Sequence, residues 1–107
     1  MVTSCPTSEE YHAPETLGLE TRDKIRREAA KLLDGMPPGG GELVIDLART
    51  RQVDSAGLGA LMLIQHHAAE RRQTVRLVNV SDELRFLLVL TKLDELFEPE
   101  NGEADPE

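Results

Sequence analysis

Apolar residues fall into two alternating kinds of pattern along this chain. Leu43-Val44-Ile45 and the set Val75, Leu77, Val78 and Val80 are short dense runs between polar neighbours, as strands require. Ile25, Ala29, Leu32 and Leu33 instead recur at helical spacing. So do Leu58, Leu61, Met62 and Ala69, widened by Leu63, Ile64 and Ala68, and then Leu84, Leu87, Leu88 and Thr91. The first helix is predicted to start at an N-cap Thr21, with Asp23 in its first turn, and to stop at a left-handed Gly35. Residues 36–41, MPPGGG, form a loop. Residues 42–47 form a strand whose consecutive apolar core predicts cover on both faces. Asp54 or Ser55 caps a helix running to about Arg72, and residues 74–80 form a second strand. Ser81, followed by Asp82 and Glu83, caps a third helix. Leu93, Leu96 and Phe97 close the apolar pattern.

The order after Thr21 is helix, strand, helix, strand, helix. A helix in each crossover predicts parallel pairing with right-handed connections. Residues 1–16 read as a poorly structured segment, with Glu10 to Ala13 as one short strand that Pro14 ends. Residues 98–107 read as an acidic disordered tail, leaving 17–97 as the domain.

Length and composition narrow the classes. With 107 residues the chain makes one domain, and with 3% aromatics its core is built of Leu, Val, Ile and Ala. A net charge of -8 without a clustered basic patch argues against nucleic acid and for a partner with a basic surface. Cys5 is the single cysteine, which fits a reducing cytoplasm. No apolar run approaches the ~20 residues that span a bilayer, and the N-terminus does not read as a signal peptide, so no membrane insertion is expected.

Enzyme and metal chemistry find little support. Val53-Asp54-Ser55-Ala56-Gly57 lacks the first glycine of a nucleophile elbow. His66 and His67 lie roughly 16 to 18 Å along the helix from Ser55, beyond reach of its hydroxyl. Adjacent helical histidines point about 100° apart and do not share an ion. No cofactor, metal or catalytic residue is therefore expected. Gly57 and Gly59 weaken the start of their helix, so they either allow close packing on a strand or leave room for a partner. Asp46, inside an apolar strand, is expected near the strand's end and turned to a loop.

The stretch Asp54-Ser55-Ala56-Gly57-Leu58-Gly59, after ELVIDL and before VRLVNV and LTKLDELF, resembles the STAS family and its bacterial anti-sigma factor antagonists. The resemblance runs from roughly Leu17 to Phe97. Where the family carries Gly-Glu-Leu-Asp, this chain reads Thr16-Leu17-Gly18-Leu19-Glu20. The resemblance implies an α/β, STAS-like fold: a small, mostly parallel or mixed β-sheet with three or more helices packed against it. It implies that Ser55 is the phosphoacceptor, with Asp54 orienting it. The partner surface would comprise Asp54, Ser55, Ala56, Gly57, Leu58, Gly59 and Leu61. The dephosphorylated protein would bind an anti-sigma factor that is also a serine kinase of GHKL type. Phosphorylation would release it, and a phosphatase would reset it. The alternative is a non-switching STAS subunit of a lipid-transport ABC ATPase or of a stress-sensing scaffold.

Overall fold

The computed structural model describes residues 8–93 and 98–99. Cys5, Leu96, Phe97 and the tail from residue 100 on lie outside the described residues. The elements are β1 (Ser8–His12), β2 (Thr16–Leu17), α1 (Arg22–Asp34), β3 (Glu42–Asp46), β4 (Gln52–Val53), α2 (Ser55–Glu70), β5 (Thr74–Val78), α3 (Asp82–Leu90) and β6 (Glu98–Pro99).

Two sheets form. The larger has the order β1-β3-β5-β6 and the smaller is β2-β4. Every pairing among the described residues is parallel, as the helical crossovers predict.

In-register residues share a face. Tyr11, Ile45 and Leu77 lie on one side, and His12, Asp46 and Val78 on the other. Leu43, Ile45, Val75 and Leu77 are buried, whereas Val44, Asp46, Arg76 and Val78 are half-exposed. One face of the sheet is therefore covered and the other is largely open. This corrects the expectation of two covered faces around Val44. α1 packs on β1, β3 and α2, and α2 packs on β5 and on the small sheet.

The core gathers Leu17, Ile25, Leu33, Leu43, Ile45, Leu61, Ile64 and their neighbours at almost zero exposure. Each such side chain contributes on the order of 2 kcal/mol. The exposed Arg26–Asp23 pair at 3.2 Å adds at most a few tenths. Apolar burial, not surface charge, holds the layers together.

Several boundaries differ from the sequence pattern, each for a visible reason. The short strand expected at Glu10 to Ala13 is found at Ser8–His12, and parallel pairing with β3 makes it part of the large sheet rather than of a poorly structured segment. At the other end Glu98–Pro99 joins β5 opposite Arg76 and Leu77, so the tail's first two residues belong to the sheet. Gly35 has φ -80 rather than a left-handed conformation. Gly35 N–H and Met36 N–H still close onto the last carbonyls of α1, and the buried Gln73 adds to them, its Nε2 donating to Leu33 O at 2.8 Å and to Met36 O, just past the helix, at 3.2 Å. β5 stops at Val78 because Asn79 turns to φ 57 and donates to Asp46 Oδ1 at 3.0 Å. Ser81 caps α3 through Leu84 N–H, as expected. Leu84 and Leu88 face the core, but Thr91 is exposed and donates to Leu87 O at 2.7 Å.

α2 buries Gly57, Leu58, Ala60, Leu61, Ile64 and Ala68. Met62 is half-buried, while Leu63 and Ala69 are exposed. The expected inward stripe is thus partly rotated. A helix apolar nearly all round offers no preferred face, so its packing against α1 chooses one.

Candidate functional site

The site is built where β4 hands over to α2. Asp54 is extended, with φ -119 and ψ -177, and is the N-cap. Its Oδ1 accepts from Gly57 N–H at 3.0 Å, and its Oδ2 from Leu19 N–H at 3.3 Å. The Gly57 bond chiefly holds its carboxyl below the usual aspartate value. Both carboxylate oxygens therefore serve backbone groups rather than the Ser55 hydroxyl, which departs from the expected orienting role.

Ser55 is the first helical residue and is exposed. Among the described residues its hydroxyl makes no side-chain hydrogen bond. Asp54 has taken the capping duty that a plain N-cap serine would carry. The hydroxyl instead faces solvent at the positive end of a 16-residue helix.

The small sheet locks this corner. Thr16 pairs with Gln52 and Leu17 with Val53, and Asp54 N–H donates to Leu17 O at 3.1 Å. A Cβ at Gly57 would run into the Leu17 carbonyl, and one at Gly18 would meet Asp54 Oδ2 at 2.6 Å. The two open readings of the glycines thus divide between them. Gly57 permits close packing, whereas a Cβ at Gly59 would touch nothing within 4 Å and leaves the surface open. Thr21 sits at the N-cap position of α1 without capping. Its hydroxyl turns back to donate to Thr16 O at 2.8 Å, while Gly18 N–H donates to it at 3.0 Å.

The candidate partner residues separate into two layers. Asp54 and Ser55 are exposed, and Ala56 and Gly59 half-exposed. Gly57, Leu58 and Leu61 are interior, with Leu61 at 0% exposure. These three lie beneath the surface on which they were expected. Three exposed residues bordering this corner, Leu19, Arg22 and Arg26, are missed by sequence reasoning. Leu19, 63% exposed, projects from the loop that Asp54 holds. Arg22, Asp23 and Arg26 line, with Ser55, Ala56 and Gly59, an open groove of about 520 Å³ between α1 and α2, Arg26 pairing there with Asp23 at 3.2 Å. The i, i+4 spacing of the two arginines on α1 was the available signal.

The histidines sit elsewhere. His66 is exposed, and His67 Nε2 lies 2.8 Å from Asp34 Oδ1 at the far end of α1. Asp46 ends β3 as expected, its Oδ1 accepting from Ala48 N–H at 2.9 Å and from the Asn79 side chain. Those bonds, the Asn79 one foremost, hold its carboxyl low.

A family model described as "Mlab, STAS domain" matches residues 15–98. The chain belongs to the STAS domain family. A STAS-domain containing protein of Pseudomonas aeruginosa is 35% identical over 54 residues, covering 50% of this chain and 54% of that protein. The chain thus spans about half the length of that curated relative. The structure of the anti-sigma factor antagonist SpoIIAA in its unphosphorylated form superposes with a TM-score of 0.71 at 12% identity, over 94% of this chain and 87% of that one. A putative anti-sigma factor antagonist from Thermotoga maritima gives 0.66 at 18% identity, over 85% and 71%. A sulfate transporter family protein from Wolinella succinogenes gives 0.64 at 21%, over 87% and 74%. These structures share the STAS fold. Among the described residues no helix is long and apolar enough to cross a membrane.

Proposed function

We propose that this STAS domain is an anti-sigma factor antagonist that works by partner switching. In its dephosphorylated form it binds an anti-sigma factor that is also a GHKL-type serine kinase. The kinase transfers the γ-phosphoryl group of its ATP to Ser55 Oγ; the hydroxyl proton leaves and ADP is released. The complex then breaks, and a phosphatase restores the hydroxyl.

One observation carries this reading: Ser55 is exposed at the start of α2 while Asp54 caps the helix in its place. A phosphate there adds about -1.5 to -2 charge at neutral pH. The helix N-terminus accommodates that charge within the fold, with Arg22 along the adjoining groove and Arg26 there already paired with Asp23. A partner fitted to a neutral hydroxyl beside Asp54 does not. Like charges pressed into an interface cost several kcal/mol, on the order of a hundredfold or more in affinity. The net charge of -8 suits a basic docking surface.

The test is incubation with the kinase and ATP, followed by phosphate mapping by mass spectrometry. A single phosphate on Ser55, absent from Ser55→Ala, is expected. Modification elsewhere, or none, removes Ser55 from this role.

The match to a STAS domain model suits a second reading as well, a non-switching STAS subunit of a lipid-transport ABC ATPase or of a stress-sensing scaffold. In that case Ser55 belongs to a permanent docking surface, and Ser55→Asp and Ser55→Ala weaken one stable complex without any phosphorylation.

A further inference from the structure

The open face of the large sheet carries a cluster that the Ser55 reading does not use. Glu10 and His12 lie two residues apart on β1 and share that face; His12 pairs in register with Asp46 on β3. His12 Nδ1 is 3.5 Å from Asp46 Oδ2, and His12 Nε2 is 3.9 Å from Glu10 Oε1. One ligand atom from each of the three lies within 4.8 Å of the others.

We propose that Glu10, His12 and Asp46 form a site for a divalent transition-metal ion that ties β1 to β3. One imidazole with two carboxylates is a donor set suited to zinc-like ions, and water completes a tetrahedron. Asp46 is the fixed member. Its side chain is only 13% exposed, and Ala48 N–H and Asn79 Nδ2 hold its Oδ1, leaving Oδ2 turned toward His12. Hydrogen bonds of this kind orient a ligating carboxylate. Glu10 and His12, at 56% and 58% exposure, have solvent around them into which to turn, as closing to bonds of about 2.0–2.2 Å requires. By register that face also carries Glu42, Arg76 and Glu98, of which Glu42 and Arg76 lie 3.5 Å from each other, and Arg49 adds a positive charge near Asp46. The bound ion joins the edge strand to its neighbour, so it favours the folded chain.

Calorimetric titration with zinc chloride tests the site, with cobalt absorption as a second readout. One equivalent is expected to bind. His12→Ala should weaken binding by about tenfold or more, and Glu10→Gln should weaken it less. His66→Ala, His67→Ala and Cys5→Ser should bind as the parent does. Zinc should raise the melting temperature of the parent and leave that of His12→Ala unchanged. His12 and Glu10 are exposed, so neither substitution threatens folding. Absence of saturable binding overturns the proposal. So does binding that survives His12→Ala, or binding lost in His66→Ala, His67→Ala or Cys5→Ser.

Discussion

Gly57 lies so close under the Leu17 carbonyl that no side chain fits between them. This contact joins the start of α2 to the small β2-β4 sheet and thereby sets where Ser55 emerges.

Gly57→Ala is expected to destabilise the fold by at least about 3 kcal/mol, because the obstructing atoms are backbone and cannot rotate away. Gly59→Ala, two residues on, should instead stabilise by about 0.5–1 kcal/mol, since its Cβ meets open space. Urea unfolding of the pair measures both. If Gly59 belongs to the partner surface, its alanine variant binds more weakly while melting higher.

Asp54 gives a pH signature. Its folded carboxyl titrates below its unfolded value, so its stabilisation is complete above the ordinary aspartate range near 4. That contribution disappears as pH falls through the lower folded value. Melting curves of the parent and Asp54→Asn should differ most above about pH 5 and converge on further acidification. Parallel curves down to the acid limit would show that the charge contributes nothing.

Tyr11 is the single tyrosine of a chain without tryptophan, so its ionisation is readable by absorbance. Burial, then its 2.8 Å hydrogen bond to Glu28 Oε1, pushes its hydroxyl above the free value near 10. The stabilisation is present below that free value and is lost as pH rises toward the folded one. Phenolate absorbance should appear later than in free tyrosine, and Glu28→Gln should bring it earlier.

Gln73 tests the end of α1. Gln73→Leu removes one of the two donors at each of the Leu33 and Met36 carbonyls, which keep Met36 N–H and Arg71 Nη2 respectively, and the two lost bonds should cost about 2 kcal/mol. A fall of roughly 10 °C in melting temperature is the expected reading. An unchanged midpoint would mean that water replaces the amide.

At Ser55, Ser55→Asp should leave the circular dichroism spectrum and melting temperature close to the parent's while weakening partner binding by on the order of a hundredfold. Loss of fold together with binding would remove the charge mechanism.

Much of this architecture is legible from local chemistry. Leu43 to Ile45 and Val75 to Val78 announce their strands, and Asp54 and Ser81 announce the helix starts that they cap. What is hidden depends on distant partners. Glu10 to Ala13 shows as a short strand, but its start at Ser8 and its place in the large sheet come from pairing with β3. Thr16–Leu17 and Gln52–Val53 are too short to carry a period, yet they position Ser55. The facing of α2 is set by α1, because Leu61, Leu63 and Ile64 are equally apolar in sequence and unequal only in packing. The roles of Gln73 and of Arg22 with Arg26 likewise come from neighbours more than 25 residues away in the chain.

Asp54 and Ser55 divide their duties, one securing the coil and the other meeting solvent. Position 55 is thereby released from selection for foldability. Across descendants of this gene, the hydroxyl will persist or vanish according to what visits it from outside, which makes it a record of the protein's company rather than of its architecture.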